Sequence, residues 1–319
     1  LHTVHFDGVI LSVYIISFLI GLPANLLALC AFSMKIHSKP RPINILLLNL
    51  TVSDLLFLSI LPFKMHEAAS GMKWNLPYIL CSITSFTFFF SIFTSTLLLT
   101  AVSVVRYIGV AFPIIYQQMH KPVYAIVISA ISWLISAAQC SIIVITQHHP
   151  SLSSQNSSIC YENFTDKQLE VLLPVRLETF FVFCFVPLLI CVYCYLRCIW
   201  ILYNRPRISC MLKQKAIGMA LGTLAVFLIC VVPYNLSHVV GYFQGKSPSW
   251  RYYVLLLSTF NTCLDPIIFY FSSSTFHCTG EKSIFRKLRT NVSCTAWNSL
   301  GSDTKQLSIS NLSELCKLD

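Results

Sequence analysis

The residues with most chemistry in this chain are cations set in apolar surroundings. Arg176 lies in "LLPVRLETFF", Arg251 in "SPSWRYYVLL" and His238 in "PYNLSHVVGY". Two guanidiniums and an imidazole can receive one carboxylate through charge-assisted, partly bidentate hydrogen bonds, about twice as strong as neutral ones. Tyr234 precedes His238 by four residues, so in a helix the two share a face. A second group is acidic: Asp54 in "NLTVSDLL" and Asp265 in "NTCLDPIIFY" are each embedded in apolar sequence. Ionisable groups are costly in a bilayer; they mark function, or at least a hydrogen-bonded network between helices. Arg106, in "SVVRYIGVAFP", is a further charge of this kind. No catalytic constellation accompanies them. Cys191-x-x-Cys194 lacks the histidine or second cysteine pair that a metal site needs, and reads as small residues of a membrane helix.

Elements of a particular kind must carry these groups. The chain is 55% apolar and 11% charged with a mean hydropathy of +0.70, far from the soluble average. A hydrocarbon layer about 30 Å thick needs roughly 20 apolar residues in a helix. Seven segments qualify, near 9–34, 42–65, 78–110, 122–146, 168–203, 214–243 and 250–274. They lack the alternation of barrel strands, and backbone groups cannot stay unpaired in lipid, so the expected fold is all-α: a seven-transmembrane helix bundle. An N-terminal segment (1–8) precedes the transmembrane domain (9–274). The amphipathic stretch "TFHCTGEKSIFRKLR" predicts a short eighth helix lying on the membrane at 275–290, followed by a disordered cytoplasmic tail at 291–319.

Basic residues orient the bundle, because Lys and Arg accumulate on the cytoplasmic side of short loops. Sixteen fall on the side of Arg106 and the tail and six on the other, which places the amino terminus outside. The net charge of +10 is accounted for by this bias, without nucleic-acid binding. Of fourteen cysteines, Cys81 and Cys160 fall on the oxidising outer side near water, so a disulfide is expected between them. Asn156 in "NSS" and Asn163 in "NFT" are glycosylation sequons in the same outer loop.

Helix arithmetic then sets depth. Arg176 lies eleven residues before Pro187, about 16 Å nearer the outside, and Arg251 about 21 Å above Asp265. Helices five, six and seven thus each send a donor toward one outer cavity. Snorkelling, or pairing with Glu178, Glu67 or Glu162, is the blander use of the arginines. Glu162, two residues beyond Cys160, is the acid best placed to cover both. On the third span Ser85, Phe88, Phe89, Ile92 and Phe93 should face inward and leave room for a few methylenes.

The ordered landmarks Asn25 in "GLPANLL", Asp54, Arg106 beside Tyr107, Trp133, Pro187, Pro233 in "CVVPY" and Pro266 resemble the rhodopsin-like G-protein-coupled receptors. That resemblance implies a sodium- and water-linked polar core at Asn25, Asp54 and Asp265, with no other cofactor. It implies a role for Arg106 and Tyr107 in coupling to G proteins. The stretches "PYNLSHVVGY", "LPVRLE", "CYENFTD", "LPFKMHEAASGMKW" and "YFSSS" are similar to the free fatty acid receptors for short-chain carboxylates. By that similarity Arg176, Arg251 and His238 hold the ligand carboxylate, and Tyr234, Glu162 and Phe89 fall on pocket positions. Acetate, propionate and butyrate are the implied ligands. Heterotrimeric G proteins of the inhibitory and Gq types, arrestin and membrane lipids are the implied partners, at the plasma membrane. A site for another small carboxylate, or a monocarboxylate transporter, would use the same arginines. The cationic pair near the outer mouth and the lack of an evident repeat disfavour a transporter, which binds at the midplane between repeats.

Two departures stand out. The tyrosine of the seventh span, Tyr270, falls one place later than the family pattern. Val105 occupies the position before Arg106 where the family carries an acid. Loss of that local carboxylate predicts a weaker restraint on the inactive state, by up to about 1 kcal/mol for a partly exposed pair. Val105→Glu is therefore expected to lower ligand-independent G-protein activation at matched surface expression. Unchanged basal output would mean that other groups restrain Arg106.

Overall fold

In the computed structural model, residues 2–118, 122–148, 160, 166–205 and 210–272 are described. Their elements are α1 (His2–Ser38), α2 (Pro42–Ala69), α3 (Tyr78–Ala111), α4 (Pro113–Gln118), α5 (Pro122–His148), α6 (Asp166–Phe180), α7 (Val186–Tyr203), α8 (Cys210–Ala225), α9 (Val232–Gln244), α10 (Arg251–Ser258) and α11 (Asn261–Ser272). No strand occurs among the described residues. Six helical runs are long and apolar enough to cross a bilayer, among them the composite runs Asp166–Tyr203 and Ala216–Gln244. The seventh is made of α10 and α11, each too short alone. Helix α3 is central, packing on α2, α5 and α7, and α1 closes the ring against α2 and α11. The predicted eighth helix and tail, 275–319, lie outside the described residues.

Prolines shape the last three spans. A proline inside a helix removes one N–H and presses its ring against the carbonyl four residues earlier. Before Pro187 the chain relaxes into a π-turn, Phe181–Phe185, and before Pro233 into another, Val226–Val231. In each, the first α-helical residue donates five residues back, Val186 to Phe181 and Val232 to Phe227. Backbone polar groups exposed by such turns are tolerable in a bilayer where neighbouring helices satisfy them. Ser258 of α10 does so, donating to the Cys230 carbonyl at 2.7 Å.

The seventh span, one apolar run in the sequence, is divided between α10 and α11, and α11 runs on through Pro266. The proline's missing N–H would have met the Thr262 carbonyl. Instead Asn25 of α1 donates its Nδ2 there at 2.9 Å. Just before it, Thr259 and Phe260 bond only three residues back, to Leu256 and Leu257, so the helix tightens into a turn between α10 and α11.

A disulfide joins Cys81, in the first turn of α3, to Cys160, with the Cα atoms 5.7 Å apart. It marks the end of the bundle where α6, α9 and α10 also meet.

Candidate functional site

At the disulfide-bearing end, α6, α9 and α10 bring four polar side chains together. Arg176 on α6, Tyr234 and His238 on α9 are all under 5% exposed, and Arg251 opens α10 partly buried. Arg251 donates Nη2 to the Tyr234 hydroxyl, and its guanidinium carbon lies 5.1 Å from the centre of the same ring. Tyr234 meets His238 edge to face at 4.6 Å. Both guanidinium charges reach the His238 imidazole, whose buried Nδ1 has no hydrogen-bond partner among the described residues. Arg176 donates Nη1 to Ser247 Oγ at 2.7 Å. Positive charge is thereby concentrated in a buried place bounded by aromatic rings, and burial strengthens its attraction for an anion.

Helix α3 forms the floor. Ser85, Phe88, Phe89, Ile92 and Phe93 are all buried. Phe89 stacks on Tyr234 at 5.9 Å and on Phe93 at 6.3 Å, and Phe93 stacks on Phe183 at 4.5 Å. Among the acids named as alternative partners, Glu67 is held by Lys64 at 2.9 Å and Glu178 is exposed on another face of α6. Glu162 and the sequons Asn156 and Asn163 lie outside the described residues.

Deeper in the bundle, Asp54 on α2 and Asp265 on α11 are neighbours with no solvent exposure. None of their four carboxylate oxygens has a hydrogen-bond donor among the described residues, nor has Oδ1 of Asn25. Two facing carboxyls need a shared proton or a cation between them. Oxygen donors of this kind suit a small hard cation. Around them Ser53 of α2 bonds with Ser91 and Ser95 of α3, at 3.1 Å between the hydroxyls in each case.

At the far end, the charge of Arg106 reaches Tyr195 and Cys198 of α7. The Tyr195 hydroxyl shares a 3.0 Å hydrogen bond with Thr223 of α8, so a polar seam crosses three spans there. Tyr107 packs edge to face on Tyr193. Val105 is buried and lines an apolar crevice with Pro42, Ile108, Tyr116 and Ile128. The residue before Arg106 therefore contributes packing where a carboxylate would contribute charge.

Residues 24–269 match the family model of the seven-transmembrane receptors of the rhodopsin family. The chain is 46% identical over 288 residues to mouse "Free fatty acid receptor 3", covering 90% of this chain and 89% of that protein. It is 48% identical over 272 residues to human "Free fatty acid receptor 2", covering 84% and 82%. The chain belongs to the free fatty acid receptor family. The likeness thins beyond it: "Proteinase-activated receptor 1" of Xenopus laevis is 30% identical over 268 residues, 82% of this chain and 63% of that one. Membership makes the chain a multi-pass membrane receptor that binds a small-molecule ligand and G proteins, and sets aside both an enzyme and the transporter reading.

Sequence reasoning named Arg176, His238, Tyr234 and Arg251 but missed Ser247, which Arg176 contacts. Its signal is weak: a hydroxyl between Gly245 and Pro248 in "GKSPSW" reads first as turn composition. The pairings of Tyr195 with Thr223 and of Ser258 with the Cys230 carbonyl were also missed, since each joins residues 28 positions apart with no local pattern.

Proposed function

We propose that this chain is a plasma-membrane receptor for short-chain fatty acids, with the amino terminus outside and the ligand carboxylate held by Arg176, Arg251 and His238. The gathering of the two guanidiniums and the His238 imidazole with Tyr234 at one buried place is the observation that carries the reading. Arg251 is oriented by the Tyr234 hydroxyl, His238 by the edge of the same ring, and the guanidiniums present planar forks suited to a carboxylate. Glu162 would act as the stand-in anion when no ligand is bound. The aromatic floor at Phe89 and Phe93 limits the acyl chain to a few methylenes, which favours acetate, propionate and butyrate over longer acids.

Magnitudes agree with a weakly bound ligand. Two or three methylenes bury roughly 0.8 kcal/mol each, so the carboxylate supplies most of the affinity. Dissociation constants of about 0.1–1 mM correspond to about 4–5.5 kcal/mol. Drawing α6, α9 and α10 together around the acid would favour an opened far end. There Arg106, Tyr107 and the basic loops meet heterotrimeric G proteins of the inhibitory or Gq type. The Ser- and Thr-bearing tail would take phosphate for arrestin, and Cys278 or Cys294 would take a lipid anchor.

We also assign an allosteric sodium ion to Asp54, Asn25 and Asp265, on the strength of the buried oxygens without donors. A bound ion stabilises the fold by about 1.4 kcal/mol when present at about ten times its dissociation constant. The purified receptor is expected to melt higher in sodium chloride than in choline chloride, and Asp54→Asn to abolish the difference. Equal melting of the wild type in both salts would remove the ion.

Removing either arginine leaves its partner or the ligand underpaired, at a cost of about 2–5 kcal/mol. G-protein activation titrated with acetate, propionate and butyrate is therefore expected at submillimolar to millimolar acid in the wild type. Arg176→Ala and Arg251→Ala, displayed normally at the surface, are expected to be silent. Mutants that respond like wild type would return both arginines to a structural role.

A further inference from the structure

The connection between α9 and α10 is short and built in detail. Gly245 follows α9 in the left-handed region, at φ 65°, where a residue without Cβ is least strained. Its N–H donates to the Tyr242 carbonyl at 3.3 Å, and that of Lys246 to Gly241 at 3.2 Å, the paired bonds of a Schellman ending. The chain then folds back over α9. A Cβ on Gly241 would stand 3.1 Å from the Lys246 carbonyl oxygen, 3.3 Å from Pro248 Cδ and 3.7 Å from Leu173 Cδ2 of α6. Only a residue without a side chain lets the connection lie this close. Pro248 is buried, and its carbonyl accepts from the backbone N–H of Arg251 at 3.2 Å, starting α10.

Ser247 is held in the middle of this turn, with Oγ 2.7 Å from Arg176 Nη1. One six-residue connection thus bears on both arginines: Ser247 on the side chain of Arg176, Pro248 on the backbone of Arg251. We infer that Ser247 is a positioning residue of the carboxylate site. It fixes the guanidinium plane of Arg176 and reaches the ligand through that arginine. A serine hydroxyl can accept from the guanidinium without neutralising it, so Arg176 is oriented with its own charge intact. This inference rests on the carboxylate reading above and adds the group that orients one half of the clamp.

Because the carboxylate is common to all the acids, loss of this bond has a signature that a general disturbance of the turn would not give. Ser247→Ala is expected to raise the half-maximal concentrations of acetate, propionate and butyrate by one shared factor, about tenfold, at unchanged surface display and rank order. Ser247→Thr, which keeps the hydroxyl, should stay within about threefold of wild type. Wild-type potency in Ser247→Ala beside a silent Arg176→Ala would overturn the positioning role while leaving the carboxylate reading intact. So would a loss that threonine fails to restore, or one that reorders the three acids. Wild-type responses in Arg176→Ala itself would defeat the carboxylate reading, and this inference with it.

Discussion

Polar groups carried into a bilayer have to find their partners inside the bundle, and most of this structure answers that constraint. Pro266 deprives the Thr262 carbonyl of its helical donor, and the Asn25 amide from α1 replaces it at 2.9 Å. The π-turn before Pro233 is served by Ser258 from the neighbouring span. In water either group would simply be hydrated. In lipid each substitute bond also fixes one helix against another, so satisfying the backbone and assembling the bundle become a single event.

The same constraint explains why charge is placed where it is. Arg176 is almost fully buried, yet it stands at the disulfide-bearing end, level with a loop serine and with the first residue of α10. Tyr234 offers Arg251 a hydroxyl at the ring edge and a π face at 5.1 Å, both suited to a cation without cancelling its charge. Aromatic rings close the floor beneath, through Phe89, Phe93 and Phe183. Two guanidiniums thus lie over an apolar floor. Lower in the bundle Asp54 and Asp265 present the opposite case, two buried acids side by side. The two sites are joined through the spans that carry them: α10 begins at Arg251 and continues, past the Thr259–Phe260 turn, into the helix of Asp265.

Much of this was legible before any coordinates. Hydropathy named seven spans because it depends on long stretches of chain and tolerates local error. Asp54, Asp265, Arg176 and Arg251 were conspicuous because a charge in apolar sequence is rare. The break in the seventh span was not, since hydropathy averages over Thr259 and Phe260 and cannot see a missing hydrogen bond. Ser247 escaped for a related reason: its contact with Arg176 spans 71 residues and depends on how closely the turn lies over Gly241. Glu162 remains a reading of the sequence, and the eighth helix likewise.

The central claim is that one carboxylate bridges the guanidiniums of Arg176 and Arg251 beside His238. An experimental structure of the receptor with bound propionate tests it most directly. The account predicts carboxylate oxygens within about 3 Å of both guanidiniums, with the ethyl tail pointing toward Phe89. Propionate bound elsewhere, or held by neither arginine, would contradict it.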